Sequence, residues 1–144
     1  MKAGPGGRSP FPSSFPKKMN APSLPEKAAA VVMFVFFVYA TVVQFNDPDP
    51  WVWVPLYGLA AVLCVGYLVG RLPVRAAGVY TALVVVYALY LAVRLASRHL
   101  FFDEREMAGI VEEGREMLGL VIVAAWTGFM TWRTRRRKRT AGVG

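Results

Sequence analysis

Four long apolar stretches, at about 28–45, 51–70, 76–97 and 117–132, alternate with short polar segments, and together they contain one charged residue, Arg94. None carries the polar face that a water-exposed amphipathic helix requires. A helix rises about 1.5 Å per residue and the hydrocarbon core of a bilayer is about 30 Å thick, so a span takes roughly 20 residues. The second and third stretches reach that length, whereas the first and fourth draw on their flanks. For the fourth, Met107, Ile110, Val111, Gly114, Met117, Leu118 and Val121 fall on one side of a helical wheel and Glu112, Glu113, Arg115 and Glu116 on the other. An amphipathic helix from about 106 therefore runs into span four. An open sheet is excluded because lipid cannot satisfy its unpaired edges. The expected fold is all-α, a four-helix transmembrane bundle over 26–132. It is preceded by a Pro-, Gly- and Ser-rich basic tail (1–25), expected to be disordered, and followed by a basic tail (133–144).

Charge gives this pattern a direction. Thirteen of the 17 basic residues lie before span one, between spans two and three (Arg71, Arg75), or after span four, where the only acid is Glu26. The other eight acids lie in the two remaining connections. The positive-inside rule then places both termini in the cytosol, or in the matrix or stroma of an organelle, and the acidic connections outside. A net charge of +8 would suggest nucleic acid in a soluble chain. Here the run Arg133-Thr134-Arg135-Arg136-Arg137-Lys138-Arg139 follows a span directly, so it reports orientation and attracts anionic lipid, about 1 kcal/mol per basic residue. No nucleic-acid partner is expected. An endomembrane or the plasma membrane fits better than an organelle, because the N-terminal tail lacks the periodicity of a transit peptide. The single cysteine, Cys64, falls in mid-span and reads as a small packing residue.

The connections carry their own backbone logic. In Gln44-Phe45-Asn46-Asp47-Pro48-Asp49-Pro50, Asp47 and Asp49 each precede proline, which drives them out of the helical region, and either can cap the second span. Trp51, Trp53 and Tyr57 mark the outer interface, and Pro55 is placed to bend the helix. Gly66 and Gly70, at small-xxx-small spacing, offer a face to a protein partner or a second copy of the chain. Tyr80, Tyr87 and Arg94 recur every seven residues on one face of span three, with Arg94 close enough to the outer surface to snorkel.

Polar chemistry concentrates at the outer surface. Asn46, Asp47 and Asp49 from one connection meet Glu112, Glu113, Arg115 and Glu116 from the other, with Gln44, His99 and Arg94 at the same depth. Such oxygen-rich groups suit a hard cation, and His99 would admit a transition metal. A cation at this cluster is the only cofactor the residue types admit, and no metal ligand set is assigned. There is no HExxH, EF-hand loop, CxxC, phosphate-binding glycine loop or Ser-His-Asp order, so no residue is assigned to catalysis. The acids equally suit a solvated rim of local pairs such as Glu112 with Arg115.

Val43-Gln44-Phe45-Asn46-Asp47-Pro48-Asp49 followed by Val52-Trp53-Val54 and Tyr57, together with Glu112-Glu113-Gly114-Arg115-Glu116-Met117-Leu118-Gly119-Leu120-Val121-Ile122 and Ala125-Trp126, resembles the two signature stretches of the transmembrane protein 220 family. The resemblance spans about 28–132 and leaves out both tails. It implies a small polytopic helical membrane protein and no established activity, substrate or cofactor. It marks the same seven outer residues that charge placement singles out. Two functions are compatible with the chain: a non-enzymatic scaffold or partner subunit, and a small ion-binding or transport protein using the outer carboxylates.

Overall fold

A computed structural model describes the backbone of residues 21–99 and 107–141, and the side chains of these residues other than 98, 99 and 107–113. Four helices follow in order: α1 Leu24–Val43, α2 Pro50–Leu68, α3 Val74–His99 and α4 Met107–Ala141, with a 3-10 turn at Gln44–Asn46. α1 lies along α2 and α3 along α4, and the two hairpins meet through α2 and α4. Helices α1, α2 and α3 are each long and apolar enough to cross a membrane. Helix α4 is 35 residues, about 52 Å, so it exceeds a hydrocarbon core by several turns. It carries the basic run as its last two turns.

Lipid and protein compete for the apolar positions, and much of the outer surface of the bundle is aliphatic, with rings such as Phe36, Tyr39 and Phe129 among it. Val62, Leu83, Val86, Val93, Leu118 and Val121 are all exposed, an arrangement that water would penalise and acyl chains do not. The interior combines aromatic, small and hydroxyl side chains with buried Leu, Val and Met. Phe37, Tyr67, Cys64, Thr127, Leu120, Val123 and Met130 are fully enclosed. Thr81 Oγ1 donates to Thr127 Oγ1 at 2.9 Å across the α3/α4 seam, and Trp126 Nε1 donates to Cys64 Sγ at 3.2 Å, joining α4 to α2. Such close, partly polar contacts hold helices together in lipid, where apolar burial alone gives no drive to associate.

Two local expectations change. Trp51 is 87% exposed and suits the interface, but Trp53 and Tyr57 are 3% and 6% exposed. They turn inward, Trp53 stacking on Tyr57 and reaching Tyr87, so they belong to the core and not to an aromatic belt. Gly66 and Gly70 form no common helix face either. Helix α2 ends at Leu68, and Gly70 adopts φ +71° beyond it. Arg71 N–H donates to Gly66 O and Gly70 N–H to Tyr67 O, the paired bonds of a Schellman stop that satisfy carbonyls left open by the helix end. Gly66 then packs on the chain's own Leu72 and Pro73. The glycine pair therefore turns the chain into α3.

Candidate functional site

The outer turn is shaped as its prolines require. Asp49 takes the N-cap position of α2 with Pro50 as the first helical residue, but its carboxylate makes no capping hydrogen bond; Val52 N–H bonds to its backbone carbonyl instead. The side chains of Asn46 and Asp49 are exposed and that of Asp47 is half-buried. From the other connection, Arg115 is exposed and Glu116 half-buried, while the side chains of Glu112, Glu113 and His99 lie outside the described residues.

Tyr57 and Tyr87 feel charged residues of both connections. Asp47 and Glu116 both act electrostatically on Tyr57, and Glu116, Asp49 and Arg94 on Tyr87. The Tyr57 hydroxyl lies directly against Gly119, where a Cβ would come within 2.1 Å of it. Gly119 is one turn inside Glu116, so this missing side chain lets α2 and α4 close at the depth of the acids. Arg94 is exposed and its guanidinium lies 5.9 Å from the Tyr90 ring centre, in keeping with snorkelling. Among the described residues no group of three or more His, Cys, Asp or Glu is placed to hold a metal ion.

A second polar site lies at the opposite end of the bundle, and sequence reasoning missed it. Glu26, the single acid among the basic segments, is 8% exposed. It occupies the third position of α1, where its carboxylate accepts the Ser23 backbone N–H at 2.8 Å, the returning half of a capping box. The same carboxylate forms ion pairs with Arg133 and Arg137, one turn apart on α4. Arg137 also donates to the Tyr67 hydroxyl at 3.2 Å and covers that ring at 5.4 Å, adding the end of α2. The buried carboxylate is thus met by one backbone N–H and two guanidinium groups. Ser23-Leu24-Pro25-Glu26 ahead of an apolar run was the available signal, since Ser-x-x-Glu marks a helix start.

A profile of the family described as "Transmembrane family 220, helix" matches residues 36–132. A relative from Xenopus laevis named Transmembrane protein 220 is 35% identical over 104 residues, an alignment that takes in 66% of this chain and 52% of that relative. This chain thus spans about half the length of the curated relative it matches. No solved structure matches.

Proposed function

The chain belongs to transmembrane family 220, and on that premise we propose a four-span membrane protein that acts without catalysis, as a scaffold or partner subunit, with both termini on the cytoplasmic side. The observation that carries this reading is the filled interior. Among the described residues Tyr67, Leu120, Val123, Thr127 and Cys64 are fully enclosed, and Trp126 of α4 bonds to Cys64 of α2. A transporter keeps a hydrated or ionisable site near mid-membrane, and a close-packed seam of this kind suits a fixed body better. The orientation draws support from the helix arrangement, which gathers Glu26, the Arg71–Arg75 turn and the arginine run at one end, and Asp47, Asp49 and Glu116 at the other. Positive-inside bias then assigns the basic end to the cytoplasm.

The discriminating experiment uses purified protein in liposomes, with wild type compared to Asp47→Asn and Glu113→Gln. The scaffold reading expects no calcium or zinc retained, no cation flux above empty liposomes, and lower thermal stability in the variants. Metal retention or flux that is present in the wild type and lost in both variants would establish the ion-handling alternative in its place.

A further inference from the structure

The arginine run is divided between two faces of α4. Arg133 and Arg137 point inward and are engaged by Glu26. Trp132, Arg135, Arg136 and Arg139 recur at i, i+3, i+4 and i+7, so they share a different face, and there they line an open pocket of about 410 Å³. The volume falls in the range of small-ligand sites, about 300–1,000 Å³. Its lining holds three guanidinium groups, one indole and no acid. Arg136 lies 5.5 Å from the Trp132 ring centre. Arg135 is laid against α3 at Gly78, where a Cβ would come within 2.8 Å of the guanidinium.

We propose that this pocket binds the phosphate headgroup of an anionic phospholipid in the leaflet at the basic end of the bundle. Planar guanidinium forks pair bidentately with phosphate oxygens, and three converging on one volume favour a phosphomonoester, with its higher charge, over the single shielded phosphate of a zwitterionic lipid. Trp132 closes the apolar stretch of α4 and is half exposed, the placement of an interfacial indole, so acyl chains beneath it and a headgroup beside the arginines meet one ligand along one helix face. Because the Glu26 clamp takes Arg133 and Arg137, selectivity rests on Arg135, Arg136 and Arg139 and not on the total charge of the run. The leaflet named follows from the orientation above, but lipid selectivity itself is independent of that orientation and of the scaffold reading.

The test measures binding of short-chain phosphatidic acid and short-chain phosphatidylcholine to the full chain in neutral detergent, by native mass spectrometry or Trp fluorescence. Wild type is expected to prefer phosphatidic acid about tenfold or more. Arg135→Gln with Arg136→Gln should abolish the preference, whereas Lys138→Gln, outside the pocket, should retain it. Gly78→Leu keeps every charge but displaces Arg135, so it should lower the preference several-fold. Circular dichroism melting, which reads the Glu26 clamp separately, should be unchanged in the arginine variant. Equal binding of the two lipids by wild type, or an equal loss in Lys138→Gln, overturns the proposal. Competition by inorganic phosphate as strong as that by phosphatidic acid overturns the lipid assignment and leaves a site for free phosphate.

Discussion

Glu26 shows how one side chain can contradict a charge rule and obey electrostatics. An acid stands alone among the basic segments, and here it receives a backbone amide and two arginines. Removing one partner of a buried ion pair costs about 3–5 kcal/mol, and the partial exposure of Arg133 brings the expectation for Glu26→Gln to about 2–3 kcal/mol, read as a lower melting temperature. Gly119 gives a second residue-scale expectation. Gly119→Ala drives a methyl into the enclosed Tyr57 hydroxyl and should cost about 1–3 kcal/mol, whereas Gly114→Ala, with open space around it, should be neutral or stabilising by up to about 1 kcal/mol. Adding Tyr57→Phe should recover most of the Gly119→Ala loss; no recovery would mean that the hydroxyl contact is not the cause.

Between elements, hydroxyl groups set the α3/α4 contact. Thr81→Val breaks the bond to Thr127 and is expected to cost about 0.5–1 kcal/mol, in the range measured for hydrogen bonds between membrane helices. Thr131 is buried with its hydroxyl unpaired, so Thr131→Val, which keeps the shape, should be neutral or stabilising in the same melting assay. The apolar stretches made the helices legible, because span length is a property of the chain against a bilayer. The inward faces were not legible, since lipid is as apolar as a core and hydropathy cannot separate Leu118, exposed, from Leu120, enclosed. Trp53 and Tyr57 were misread for the same reason: an aromatic near a span end suits both the interface and the packed seam. Gly70 was readable, with Leu72 and Pro73 close behind it, as a helix stop, and its positive φ takes it out of the continuous helix that small-residue spacing implies. The outer acids stood out because acids are rare in such a chain; the contact of Tyr57 with Gly119 did not, because it depends on how α2 faces α4.

At the scale of the whole molecule, the two hairpins share a polar end of each sign, and the basic end is tied across three helices by Glu26, Tyr67, Arg133 and Arg137. With tags at both termini of the intact protein in cells, neither tag should be labelled from outside without permeabilisation; labelling of either would overturn the proposed orientation. The tie also has a consequence in time. Glu26 enters the membrane with the first helix, and its two arginine partners lie 107 and 111 residues further along the chain. During synthesis the first helix is therefore inserted long before its latch exists, and the bundle locks only when the last helix has been made and turned inward. The clamp works as a check on completeness: a chain cut short of Arg133 would hold every apolar surface of the first three helices, yet leave the Glu26 carboxylate with the Ser23 amide and no countercharge from α4.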